Sequence, residues 1–365
     1  MSNLINAVLE NNVEEVINLI EAGADLNIQT RNGDSALLYA TKKNNTEIEK
    51  LLIEAGADVN VRNSMDYTAL LYAVEKKNTE IAKLLIEAGA DVNVQHIFGE
   101  TALLYATKNN NTEIAKMLIE APGADLNIIQ NRINGYTALI WAIIKNNTEI
   151  AKMLIEAGAD LNVQDRNGDS ALMIAVKDNN IKFVKMLIEA GADLNVQDRN
   201  GHTALMIAVQ NNNIKIVKML VEAGANLNNQ EGLSAIDIMN ENTDRSIRIF
   251  LSTIVSKQTL GRKLVKELHN LDSNEKIPFQ NKNLAKKLHD LNIRVPTLKQ
   301  LAYNAHKKTG KKNKYLRELI NLDELDKKKE SHIRARSLSV KTRKKSSSKL
   351  NSKRNTIGGK KSRRK

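Results

Sequence analysis

Cysteine is absent from the 365 residues, which excludes disulfides, thiolate zinc sites and cysteine nucleophiles together. Six histidines (His96, His202, His269, His289, His306 and His332) show no metal-ligand spacing of the HExxH kind. Glycine-rich phosphate loops, whether GxGxxG or the type ending in Gly-Lys-Ser/Thr, are missing as well. No cofactor, metal or catalytic machinery is therefore expected, and the chain reads as a non-enzyme. Long apolar runs are lacking too, since nothing approaches the roughly 20 residues that span a bilayer. The opening MSNLINAVLENN has no basic segment leading into an apolar one, so a secretory signal is not expected. A soluble intracellular protein with no membrane contact follows from these absences.

What is present is strongly divided in charge. The net +13 hides an acidic body, because residues 1–251 carry 22 Lys and Arg against 33 Asp and Glu. Residues 252–326 carry 16 against 8, and residues 327–365 carry 17 against 1. Any case for nucleic acid concerns the basic end alone.

The body repeats itself. Ala36, Ala69, Ala102, Ala138, Ala171 and Ala204 are separated by 33, 33, 36, 33 and 33 residues. Gly23, Gly56, Gly89, Gly123, Gly158, Gly191 and Gly224 keep nearly the same beat. A period in the low thirties marks stacked supersecondary units. One unit, Arg166 to Gln197, shows the logic. Arg166-Asn167-Gly168-Asp169 is turn chemistry, and Ser170 stands where a helix N-cap belongs. Ala171 to Lys177 predicts a short apolar helix that Asn179-Asn180 ends, asparagine tolerating the left-handed conformation. Ile181 to Glu189 predicts a second helix with Phe183, Val184, Leu187 and Ile188 on one face. Neither helix buries its face alone, so stacking supplies the stability. The long step comes from Pro122 and two further residues in NIIQNRING.

These units closely resemble the ankyrin repeat over residues 1–251. The family's TPLHxA segment appears as SALLYA, TALLYA, TALLYA, TALIWA, SALMIA and TALMIA, and its GADVN segment recurs seven times nearly intact. Proline is replaced by alanine throughout. Histidine is replaced by Leu38, Leu71, Leu104, Ile140, Met173 or Met206. The resemblance implies an all-α ankyrin-repeat solenoid, and loss of the threonine–histidine bond implies looser turns. The asparagine-rich junctions and lysine-rich end also resemble ankyrin proteins of giant DNA viruses of the mimivirus type, which implies host cytoplasm or nucleus as the location.

Beyond the repeats, helical apolar spacing over residues 252–326 predicts a small helical appendage. Residues 327–365, rich in Lys, Arg and Ser, predict a disordered tail. The recurring Glu54, Glu87, Glu120, Glu156, Glu189 and Glu222 are read as a solvated outer face.

In the resembled family, function falls on turn tips and on the exposed side of the first helix. By position, three adjacent tips are apolar or aromatic: Met65 and Tyr67, then Ile97 and Phe98, then Ile133 and Tyr136. Tips are ordinarily polar, as Arg31, Asn32 and Asp34 or Arg166 and Asn167 are here, so this run marks a binding patch. Lys42, Lys43, Lys76, Lys108, Lys145 and Lys177 follow on the first helices as a basic ladder. Tyr39, Tyr72, Tyr105 and Trp141, continued by Ile174 and Ile207, form a second ladder read as part-buried.

The expected function is a monomeric protein-binding scaffold with an unknown partner, a host protein among the candidates. One alternative is a nucleic-acid-associated protein acting through Lys344, Lys345, Lys353, Arg354, Lys360, Lys361, Arg363 and Arg364. Another is a substrate adaptor for a host degradation complex. The tail holds no aromatic residue to stack on bases, so any nucleic-acid binding there is non-specific. If the tail alone supplies nucleic-acid binding, removing residues 327–365 should abolish DNA or RNA retention in a filter assay, and raised salt should weaken the full chain without sequence preference. Retention by the shortened chain at moderate salt would contradict this.

Overall fold

The computed structural model describes residues 2–130 and 134–256. Within them, short helices come in pairs joined by tight turns. The first pair is α1 (Asn3–Glu10) with α2 (Val13–Glu21), followed by α3 (Ala36–Lys43) with α4 (Thr46–Glu54). Next stand α5 (Ala69–Glu75) with α6 (Thr79–Glu87), then α7 (Ala102–Lys108) with α8 (Thr112–Glu120). The last pairs are α9 (Ala138–Ile144) with α10 (Thr148–Glu156), α11 (Ala171–Lys177) with α12 (Ile181–Ala190), and α13 (Ala204–Gln210) with α14 (Ile214–Ala223). Residues 245–256 are helical as well. Extended pairing among the described residues is limited to two isolated bridges, Gln197 with Thr203 and Asn228 with Ser234. The stack forms one unit, Met1–Ile249. The expected tail and most of the expected appendage lie outside the described residues.

Helices of seven to ten residues are marginal alone in water, so their stability comes from neighbours. Each first helix packs on its own second helix and on the first helix of the next repeat, and second helices pack on second helices. Ala171 through Val176 are consequently all buried in α11, with alanines permitting close approach. On α12 only one face is covered: Phe183, Val184 and Leu187 are buried, while Ile188 is half-buried. The expected outer carboxylates, from Glu54 to Glu222, are exposed at the far end of the second helices.

The asparagine pairs between helices do more than break them. The first asparagine of a pair adopts the left-handed conformation, as at Asn44 (φ 57°) and Asn179 (φ 51°). The second caps the following helix, the Asn180 side chain accepting from the Phe183 amide. It also donates to the first asparagine of the preceding repeat, Asn78 to Asn44 at 2.9 Å and Asn180 to Asn146 at 3.0 Å. A second ladder joins the loops after the second helices, where the amides of Asp91 and Asp193 donate to the Asn60 and Asn162 side chains at 2.7 and 2.9 Å. Polar groups at these edges are thus answered by the next repeat along.

Glu49 stands out among the buried carboxylates. Glu49 lies on α4 at the place held by Val16, Ala82, Ala115, Ala151, Val184 and Val217 in the other repeats, and its carboxylate oxygens have no hydrogen-bond partner among the described residues. Burial pushes the carboxyl from 4.5 up to about 7, with the Thr41 hydroxyl opposing. The unfolded chain ionises first as pH rises, so the folded state loses stability between about 4.5 and 7 and the loss is constant above. At about 1.4 kcal/mol per unit, the cost above pH 7 is on the order of 3 kcal/mol. Glu49→Ala should therefore raise Tm, with a gain that is small at pH 4, grows up to pH 7 and then levels. A gain independent of pH would contradict the buried carboxyl.

Candidate functional site

Each first helix is entered through a protruding loop, or finger, and the sequence determines how rigid it is. Ser35, Thr68, Thr101, Thr137, Ser170 and Thr203 cap the helices through their side-chain oxygens, which accept from the amides of Leu38, Leu71, Leu104, Ile140, Met173 and Met206. Those six positions are where the family's histidine is missing. The turns are held instead by a polar side chain at the finger's base. Asn63 accepts from the Met65 and Tyr67 amides at 2.9 and 3.0 Å. Asp165 does the same for Asn167 and Asp169 at 2.7 and 2.8 Å, and Asp198 for Asn200 and His202 at 2.9 and 2.8 Å. His96 takes the role with its Nδ1, accepting from the Phe98 amide at 3.0 Å. These bases were missed in the sequence, although the recurring QDRNG words contain two of them.

Neighbouring fingers are bonded side by side. The Ile97 amide donates to the Met65 carbonyl at 3.1 Å, and the Arg199 amide to the Asn167 carbonyl at 3.0 Å. The approach is close enough that a Cβ on Gly168 (φ 81°) would stand 2.8 Å from the Arg199 nitrogen, which demands glycine on both steric and torsional grounds.

Upon this frame the expected patch divides. Met65 and Phe98 are 41% and 49% exposed, far above what a packed side chain shows. Tyr67 and Ile97 are half-buried. The Tyr67 ring stacks on Tyr72 (4.7 Å) and on buried His96 (4.6 Å), whose ring meets the edge of Phe98 (5.5 Å). Met65, Tyr67, Ile97 and Phe98 therefore share two bonded fingers. Tyr136 is half-buried and turns edge-on to Trp141 at 5.2 Å. Ile133 and the basic tail residues lie outside the described residues.

The lysine ladder proves to be uneven. Lys42 pairs with buried Asp34 at 2.7 Å, Lys108 with buried Glu100 at 2.7 Å, and Lys177 with buried Asp169 at 2.5 Å. Asp34, expected at a polar tip, is thus an internal anchor for lysine, and Glu100 is another. Burial pushes the Glu100 carboxyl up, and His96 and Lys108 more than reverse it, holding it below the usual range. For Asp169 burial prevails over Lys177, and the carboxyl is raised. Lys43 donates to the Leu9 carbonyl at 2.7 Å. Lys145 is exposed, with its nitrogen 5.6 Å from the Trp141 ring centre, and Lys76 is exposed. The rings of Tyr39, Tyr72, Tyr105 and Trp141 are half-buried, and Ile174 and Ile207 buried, as the ladder reading requires.

The family profile "Ankyrin repeats (3 copies)" matches residues 4–96, 90–165 and 157–231, well over half of the chain. The chain belongs to the ankyrin-repeat family. Among solved structures it is similar to the ankyrin repeat domain of Bcl-3, described as a unique member of the IkappaB protein family. That match has 26% identity and a TM-score of 0.53, and covers 60% of this chain and 98% of the other. No curated protein matches the chain. Ankyrin repeats are generally protein–protein interaction modules and typically not enzymes. Among the described residues no helix is long and apolar enough to cross a membrane.

The base residues carry a direct test. Asn63→Ala removes the acceptor for two finger amides and the donor to Asp34 and to the Tyr72 hydroxyl. Stranding such groups costs about 1–3 kcal/mol, so Tm should fall and the Met65 and Tyr67 amides should exchange faster. Asn32→Ala, on an exposed tip, should change neither. Equal effects from both would show that the base does not hold the finger.

Proposed function

We propose that the protein is a non-enzymatic scaffold inside the cell that binds a partner protein across the fingers bearing Met65 and Phe98. The observation that carries this is two large apolar side chains, about half exposed, on adjacent fingers that are locked from beneath and from the side. An exposed apolar patch on a soluble module is a docking feature. Finger backbones already held by Asn63 and His96 also lose little freedom on binding. The polar fingers around Asn167 and Asn200 share the same backbone frame without the apolar surface. Position and chemistry therefore separate the binding fingers from the structural ones. Tyr136, turned onto Trp141, contributes bracing rather than contact.

Affinity purification with the full chain, followed by binding measurement with the captured partner, tests the reading. Met65→Ala with Phe98→Ala should weaken that partner by about thirtyfold or more, since interface anchors contribute about 2 kcal/mol or more. Tm should hardly move, because exposed substitutions change stability by within about 0.5 kcal/mol. Asn167→Ala with Asn200→Ala is the matched control. Undiminished binding by the first pair would overturn the assignment of these fingers.

A further inference from the structure

The side chains at the finger bases share one task but not one chemistry. Asn63, Asp165 and Asp198 each accept from two finger amides through a single oxygen. Asn229 does so for Glu231 and Leu233, at 3.0 and 2.9 Å. An amide or carboxylate oxygen has two lone pairs and can take both, whereas a ring nitrogen has one. The finger that carries Phe98 has His96 as its base. Its Nδ1 accepts from the Phe98 amide at 3.0 Å, and no second amide can share it.

A backbone amide can only donate, so Nδ1 carries no proton while the finger is held. The proton of the neutral ring is therefore on Nε2. That atom is 3.5 Å from Glu100 Oε2, too far for a good hydrogen bond. A second proton must go to Nδ1, the one atom that holds the finger.

The surroundings of this buried ring favour such a proton. Glu100 is bonded on Oε1 by Lys108 and Gln130, both at 2.7 Å, and turns Oε2 to His96. Burial pushes the Glu100 carboxyl up, but His96 and Lys108 hold it below its usual range, so it stays charged in mild acid. From the preceding finger the Tyr67 ring lies nearly parallel on the imidazole at 4.6 Å, and an aromatic face attracts a cation. Lys108 opposes, from the other oxygen of the same carboxylate. The cost of the charge falls on one amide. Other bonds of the finger do not pass through the ring. The His96 amide donates to the Glu100 carbonyl at 3.2 Å, the Gly99 amide to the His96 carbonyl at 2.7 Å, and the Ile97 amide to the Met65 carbonyl at 3.1 Å.

We propose that His96 is a proton-operated latch: a proton on Nδ1 turns the acceptor into a donor, frees the Phe98 amide and weakens the partner docked on that tip. Of the residue types that serve as bases here, imidazole alone ordinarily changes charge between about pH 5 and 8. The neighbouring Met65 finger stays held by Asn63, so acid loosens half of the docking surface and leaves the other half in place. The effect on the partner rests on the docking reading, while the latch itself does not.

Hydrogen exchange of the full chain, followed by NMR from about pH 7.5 to about pH 5.5, tests the latch without any variant. Protection of the Phe98 amide, relative to an unfolded chain, should fall about tenfold or more as the His96 imidazole titrates. The Met65 amide should keep its protection. His96→Asn installs the base that Asn63 and Asn229 already provide; it should identify the His96 signal by its loss and remove the step. An imidazole that stays neutral down to acid unfolding, or Phe98 protection that persists through the titration, would overturn the latch. So would an equal loss at Met65, which would mean that the whole body loosens.

With the partner captured by the full chain, Kd should rise about threefold or more over the same range, and the rise should be absent in His96→Asn. A rise of equal size in both chains would overturn the effect on the partner. If the Phe98 amide is released but Met65→Ala with Phe98→Ala leaves that partner undiminished, the latch stands and the docking reading falls. No release, with binding weakened by that pair, would sink the latch and leave the docking reading.

Discussion

Everything in this molecule depends on the interface between one repeat and the next. A seven-residue helix such as α11 buries six consecutive residues only because helices cover it on several sides. Without those neighbours its apolar surface and its terminal amides would face water, and so short a helix would not persist. The same boundary answers the polar groups. Asparagine side chains bridge the helix turns, a second asparagine ladder bridges the outer loops, and backbone bonds join the fingers. Apolar burial and hydrogen bonding are therefore satisfied across one surface, which explains how a chain of small, similar units forms a single body.

That arrangement also explains where variation is tolerated. The second helices repeat almost unchanged because their inner faces touch both neighbours. The finger tips project from the stack and are largely exposed, so their side chains are less constrained by packing. Met65 and Phe98 occupy such places, and so do Asn167 and Asn200. Rigid bases beneath free tips permit specificity to change without loss of fold. Glu49 illustrates the opposite case, a polar group in an inner place that other repeats fill with alanine or valine.

The electrostatics follow the same division. An acidic total for the body gives no hint that its finger-side carboxylates are internal counter-charges for lysine. Two rows of opposite charge close on each other in alternate repeats, and the intervening repeat carries Tyr67 and Glu75 at those two places instead.

Period, class and caps were legible in the sequence because each is a local property repeated many times. The alanine and glycine landmarks, the Ser/Thr caps and the asparagine pairs each state their role within a few residues. The exposed row of glutamates and the half-buried tyrosine ladder were legible too, since helical spacing sets which side a residue faces. The finger bases were not, because an asparagine, an aspartate and a histidine fill one role that only the converging amides define. Nor was the pairing of Asp34 with Lys42 or Glu100 with Lys108, eight residues apart from just before a helix cap to the last turn of that helix, because the extended backbone before the cap sets where the carboxylate points. Sequence alone determined that the chain stacks. Which lysines are neutralised, which tips stay exposed and which carboxylate lacks a partner were decided by the folded structure, because those depend on distances between side chains and on burial by neighbouring repeats.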